Sequence, residues 1–173
     1  MAERVTVFID GANLYKGLCS DCSRHDIDLG KLAAKLVGSR DFRRAYYYIA
    51  MKKQADDPDG YQKQQSFISR INKIPYFKVV LGRLEKRGTT YVEKGVDIAL
   101  AVDMLALVDT YDTAVLVSGD GDFAKVVEYV QARGKHVESY APKSLNSYNL
   151  SQIVDLNSVL DDKFLTGCWL NYY

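Results

Sequence analysis

TAVLVSGDGDFAKVVEYVQARGKHVESYA, residues 113–141, reads as one strand–helix–strand unit. TAVLV is an uncharged apolar run of strand length, as expected where both faces of a strand are covered. AKVVEYVQARG reads as a helix that stops at Gly134, and KHVESYA as the next strand. Two strands joined through a helix run parallel, because the crossover returns the chain to the same end of the sheet. Between the first strand and the helix sits SGDGDF, with Asp120 and Asp122 separated by one glycine. Such a stretch is either a turn with a helix cap or half of a metal site. The rest of the sequence has to decide between them.

The same alternation extends outward. VTVFID (5–10) is a short apolar strand, and Asp28 reads as the N-cap of a helix through LGKLAAKLVG, closed by Gly38. RRAYYYIA reads as a second strand and DDPDGYQKQQSFISRINKI as a helix, with Phe67, Ile68, Ile71 and Ile74 at helical spacing. YFKVVLG is a third strand, and LEKRGTTYVEKG a hairpin or exposed loop around Gly88. VDIALAVDMLALVDTY is a strongly apolar helix, and IVDL adds a short strand or turn near the end. Strands alternating with helices make an α/β fold with a mostly parallel central sheet flanked by helices. Ligands in such sheets bind beyond the carboxyl ends of the strands, where strand order reverses.

At 173 residues, 47% hydrophobic and 26% charged, the chain has the composition of an ordinary globular protein with one core. The expected domain covers 1–160. A tail, 161–173, packs on it through Phe164, Leu165, Trp169 and Leu170. No apolar stretch approaches the roughly 18 residues that span a bilayer, so no membrane partner is expected. MAERVTVFID runs from charge directly into a strand, unlike a signal peptide. Three cysteines, an odd number, argue for a reducing compartment, and the cytoplasm is the expected location.

Net charge is +1, but it is unevenly spread. Residues 35–94 hold 14 Lys/Arg against 6 Asp/Glu, and the remainder 9 against 16. The basic half, with Arg40, Arg43, Arg44, Lys52, Lys63 and Lys86 among its cations, offers a surface for a polyanion or a set of solvated helix faces.

Two strands end in aspartate. FIDGAN puts Asp10 at one tip with Asn13 a turn further on, and SGDGDF puts Asp120 and Asp122 at another. Asp97 precedes Leu100, Ala101 and Leu105 at spacings that share a helix face, which directs it toward the core. An ionised carboxylate there needs a cation, supplied by Lys94 or by a metal. Asp103 is rotated about 240° from Asp97 at 100° per residue and is a weaker candidate. Carboxylates without His or Cys are hard oxygen ligands that select Mg²⁺ or Mn²⁺. Such ions activate water and offset charge on the leaving oxygen of a phosphodiester. Asn13 and Ser118 suit the positioning of a phosphate or a water, and Gly11, Gly119 and Gly121 leave room for close approach.

Three blocks, VFIDGANLY, KGVDIALAVDML and AVLVSGDGDFAKVVEYVQARGKHV, together resemble the NYN family, a branch of the PIN-like nuclease fold, and within it the bacterial LabA-like subgroup. The resemblance implies a Rossmann-like three-layer sandwich and a metal-dependent ribonuclease site acting on RNA. By motif it implies Asp10, Asn13, Asp97, Asp120 and Asp122 as catalytic residues, with the four aspartates holding metal. Lys94 and Asp103 fall on positions commonly Lys and Asp in the family. With Ser118 they make a weaker, supporting set.

Lys86, Arg87 and Tyr91 lie on the basic segment before Asp97, and there a nucleic-acid backbone is expected to touch. Cys19, Cys22 and His25 have zinc-like spacing, but a closed site needs four ligands, so free thiols are expected. Tyr46, Tyr47 and Tyr48 either stack bases or alternate across a buried strand, the cheaper account. Two rivals to the ribonuclease stand: a non-catalytic RNA-binding or regulatory module keeping the acidic pocket, and a small-molecule phosphohydrolase. The FID start is similar to haloacid-dehalogenase phosphatases, but those need Asp-x-Asp and Ala12 occupies the second position. A homodimer would join two basic surfaces, though no residue demonstrates one.

Overall fold

Val5, Val7, Phe8 and Ile9 are wholly inaccessible to solvent, on both faces of one strand, and Val115, Leu116 and Val117 repeat the pattern on another. Strands of this kind belong in the middle of a parallel sheet covered by helices. In the computed structural model, which describes residues 1–171, they lie side by side there. The strands are β1 (Arg4–Asp10), β2 (Asp41–Met51), β3 (Phe77–Arg87), β4 (Thr90–Lys94), β5 (Thr113–Val117), β6 (His136–Ala141) and β7 (Leu156–Val159). Their order is β4-β3-β2-β1-β5-β6-β7. Every pairing is parallel except the β3–β4 hairpin.

The helices are α1 (Gly11–Cys22), α2 (Leu29–Val37), α3 (Pro58–Ile71), α4 (Val96–Ala106), α5 (Ala124–Ala132) and α6 (Tyr148–Ile153). Val5, Val7 and Ile9 of β1 pack with Leu14 and Leu18 of α1, Leu32 and Leu36 of α2, and Ile71 of α3. On the other side Phe8 and Leu116 pack with Leu100 and Met104 of α4, Val127 of α5 and Leu150 of α6. The result is three layers, an α/β sandwich with a mostly parallel sheet, as the alternation of elements predicted. The chain winds outward from β1 to β2 and β3, then returns to β5 on the opposite side. The carboxyl ends of β1 and β5 therefore flank the point where strand order reverses.

Four features depart from the sequence reading or complete it. The residues after Asp10 form a three-turn helix, α1, that the sequence did not announce. LEKRGTTYVEKG is a true hairpin, because β3 runs on to Arg87. IVDL is not the last strand: Asp155 accepts a hydrogen bond from the Val137 amide at 2.8 Å, and β7 begins at Leu156. All three cysteines are free thiols.

The tail returns to the α2 side of the sheet. Leu165 and Cys168 are buried there, and the Asp28 amide donates to the Cys168 carbonyl at 2.7 Å. The last two residues of that segment, 172–173, lie outside the described residues. Among the described residues no helix is long and apolar enough to cross a membrane.

Arg40 is one cation of the basic half that is not available to a polyanion. Its guanidinium donates to both Glu138 carboxylate oxygens, at 2.7 and 3.1 Å, and to the carbonyls of Leu36 and Val37 at the end of α2. Both partners are mostly buried, at 21% and 15% side-chain exposure. Arg40→Ala therefore leaves a charge and two helix-end carbonyls unmet. It is expected to cost about 2–3 kcal/mol, on the scale of lost charge-assisted hydrogen bonds, measured by denaturant unfolding.

Candidate functional site

Asp10 ends β1 and caps α1, its Oδ1 accepting from the Asn13 amide at 3.1 Å. The cap fixes the carboxylate at the sheet's end, and β5 supplies the other side. Ser118 Oγ donates to Asp10 Oδ2 at 3.0 Å, and the Asp120 amide donates back to Ser118 Oγ at 3.2 Å. The Gly119 amide donates to Asn13 Oδ1 at 3.1 Å, and the Asp122 amide to Asp120 Oδ1 at 3.0 Å. These five bonds join Asp10, Asn13, Ser118 and Asp120 into one network across the β1–β5 seam.

Asp10 is only 4% exposed. Burial pushes its carboxyl up to about 6, against the hydrogen bonds from Asn13 and Ser118, and the charges of Asp97 and Glu93 push the same way. Asp97 is also raised, by burial first and then by Asp120 and Asp122, while Lys16 opposes. Asp97 thus belongs electrostatically to the cluster, but it does not point into the core as its spacing from Leu100, Ala101 and Leu105 predicted. α4 buries Val96, Leu100 and Met104 instead; Asp97 is one position round from that line, and Leu105 is 40% exposed.

Asp122 is exposed and joins the network through its backbone. Lys94 sits on β4 opposite Arg83, and the cation acting on Asp97 is Lys16 rather than Lys94. Asp103 accepts from the Tyr48 hydroxyl at 2.9 Å, a bond that holds α4 to β2 away from Asp97. On the hairpin, Lys86 pairs with Tyr91 and Leu84 with Glu93, so these four share one face. Arg87, opposite Thr90, is on the other face. Tyr47 and Tyr48 are buried in opposite core layers, the alternation expected of a buried strand.

Lys16 and Glu93 escaped the sequence reading. Lys16 follows Asn13 by nearly one turn of α1, a signal visible only once that helix is recognised. The loop behind Gly119 was missed as well. The Ser147 amide donates to the Gly119 carbonyl at 2.9 Å, and Asn146 Oδ1 is buried there with no partner among the described residues.

The donor chemistry fits a hard divalent cation. Each Asp10 oxygen accepts one hydrogen bond and keeps a further acceptor site, and Asp120 keeps Oδ2 uncommitted. Among the described residues no three His, Cys, Asp or Glu side chains gather tightly enough to hold an ion alone. An ion held by one or two carboxylates, with waters and substrate phosphate completing the set, is the usual mode of Mg²⁺.

A family model described as the NYN domain matches residues 4–159. The chain belongs to the NYN domain family. NYN domains fall within the PIN-like nuclease superfamily, and the fold agrees with that placement. One NYN relative is the "Low amplitude and bright protein LabA" of Synechococcus elongatus, 25% identical over 170 residues, covering 91% of this chain and 86% of the relative. A solved structure from Vibrio parahaemolyticus, described as the protein of unknown function VPA0982, superposes with a TM-score of 0.78 at 26% identity. It covers 94% of this chain and 96% of its own. The likeness extends over most of both relatives, and this NYN chain shares the fold of the solved Vibrio structure.

Proposed function

We propose that the protein is a Mg²⁺- or Mn²⁺-dependent ribonuclease hydrolysing a phosphodiester at the ends of β1 and β5. The observation that carries this reading is Asp10, a carboxylate 4% exposed and crowded by the charges of Asp97 and Glu93. Such an anion is costly without a cation, and surroundings built of oxygen donors favour a hard one. Membership of the NYN family supports RNA as substrate or ligand, and the free thiols support a reducing compartment such as the cytoplasm.

Asp10 and Asp120, with Asp97 and Asp122 beside them, would hold a divalent ion, which would supply charge to activate water and to offset the leaving oxygen. The chain's own groups do the rest. Ser118 and the Asn13 amide hold Asp10 in one orientation. Asn13, pinned through Oδ1 to Gly119, keeps its side-chain NH₂ for a phosphate oxygen. Lys16 softens the repulsion among the acids and offers a cation to an incoming phosphate.

The test is incubation of the purified protein with single-stranded and structured RNA, in Mn²⁺ or EDTA, beside Asp10→Asn and Asp120→Asn. Metal-dependent cleavage that both substitutions abolish is the expected result. RNA binding without cleavage in any metal would leave the non-catalytic module. Cleavage that survives both substitutions would place the chemistry elsewhere.

A further inference from the structure

Beside the carboxylates, between α1, α3 and β2, opens a cavity of about 530 Å³. Small-ligand sites run from roughly 300 to 1,000 Å³. Its walls are apolar and aromatic, including Leu14, Tyr47, Ile49, Phe67 and Leu84. Tyr47 and Phe67 meet edge to face with ring centroids 5.5 Å apart. Tyr15, 52% exposed, also lines it, its ring 4.8 Å from that of His25. The charged part of the lining is mainly cationic: Lys16, Lys52, Lys63 and Arg70. Of these only Lys52 has an ion pair among the described residues, with Asp57 at 2.9 Å. Lys63 and Arg70, with no ion pair among the described residues, and Lys16, which faces Asp97 and Glu93, around an apolar void favour a ligand with a flat apolar body and an anionic group.

The cavity adjoins the acidic site. Gly11 and Ala12, next to Asp10, form part of its wall, as does Glu93, whose charge acts on Asp10. Leu84 and Glu93 share their hairpin face with Lys86 and Tyr91, so the surface continues outward from the cavity. We propose that the cavity receives one unstacked nucleobase of a single-stranded RNA, with Lys16 and Lys63 on its phosphate and the adjoining phosphodiester at Asp10. This rests on the ribonuclease reading for the substrate class. It adds that the strand's register is set by a base held in a pocket, and that duplex RNA, whose bases stay stacked, is a poor ligand.

The experiment measures binding of a fluorescent ten-nucleotide single-stranded RNA to the full chain in EDTA, by anisotropy. Tyr15→Ala and Lys63→Glu alter exposed side chains, and thermal melts establish that both variants are folded. Each is expected to weaken binding about tenfold, equivalent to 1.4 kcal/mol, with wild-type melting. On an abasic strand of equal length the Tyr15→Ala loss should vanish while the Lys63→Glu loss persists. Wild-type affinity in both folded variants overturns the proposal, as does an equal Tyr15→Ala loss on the abasic strand. Saturable binding of AMP or UMP that Tyr15→Ala weakens, with RNA affinity unchanged, also overturns it and assigns the cavity to a free nucleotide. Variant losses on RNA that Mn²⁺ never causes to be cut would uphold the pocket and remove the nuclease. Metal-dependent cutting with no variant loss would do the reverse.

Discussion

Asp10→Asn is expected to end the proposed RNA cleavage and at the same time to stabilise the metal-free protein. Loss of a charge so placed lowers turnover by at least about 10²–10³-fold, the scale for removing one preorganised group from an active site. The stability effect runs the other way. Asp10 titrates near 3.8 ordinarily and at about 6 in the folded chain, so the folded state holds its proton more tightly than the unfolded state. Its contribution is fully present below about pH 4 and is lost as pH rises through about 6. Ionisation at pH 7 costs on the order of 2–3 kcal/mol, at 1.36 kcal/mol per tenfold in proton affinity.

Asparagine removes that cost and keeps the α1 cap, since it ranks with aspartate at that position. For a chain of this length the variant should melt about 4–12 °C above wild type at pH 7. The gap should close toward pH 4, and Mn²⁺ should raise the melting point of wild type but not of the variant. Melting curves of both proteins across pH 4–8, with and without Mn²⁺, check this. A variant that melts below wild type at pH 7 without metal would show that Asp10 is not a strained anion.

The second large effect is Gly119→Ala. A Cβ at Gly119 would lie 2.0 Å from the Leu145 carbonyl oxygen and 2.8 Å from the Asn146 Cα. Both obstacles are backbone, so no side chain can turn aside. Moving that loop also breaks the bond from the Ser147 amide to the Gly119 carbonyl, and disturbs the one from Gly119 to Asn13. Overpacking costs typically 1–3 kcal/mol, and this case is expected at about 3 kcal/mol or more. Gly134→Ala is the contrast. Its φ of +72° is strained for alanine but its surroundings are open, so the cost should stay near 1–2 kcal/mol. Denaturant unfolding of the two variants side by side separates steric from conformational cost.

The main lines of both fold and site were legible because they rest on period and position. Apolar runs at β1 and β5, each followed by aspartate, are enough to place carboxylates at the carboxyl ends of neighbouring strands. What escaped depends on contacts between distant segments. Gly17 in the middle of GANLYKGLCSDC hides α1 from any propensity argument, and with it the position of Lys16. Asp97 was misdirected because α4 is apolar nearly all round: Ile98 and Val102 are exposed at 70% and 55%, so its apolar residues do not mark one inner face. The excess of cations in residues 35–94 overstated the free charge at Arg40, whose partner Glu138 lies outside that stretch. The partners of Arg43, Lys52 and Arg83, which are Asp41, Asp57 and Glu85, fall inside it and were already counted.

The hydrogen bond from Ser118 to Asp10 spans 108 positions of sequence. During synthesis at roughly 5–20 residues per second, Asp10 is made about 5–20 seconds before its partner. For that interval the nascent chain carries only the β1 half of its network, beside the messenger being translated. Splitting the site across the β1–β5 seam thus delays its assembly until two thirds of the chain exist.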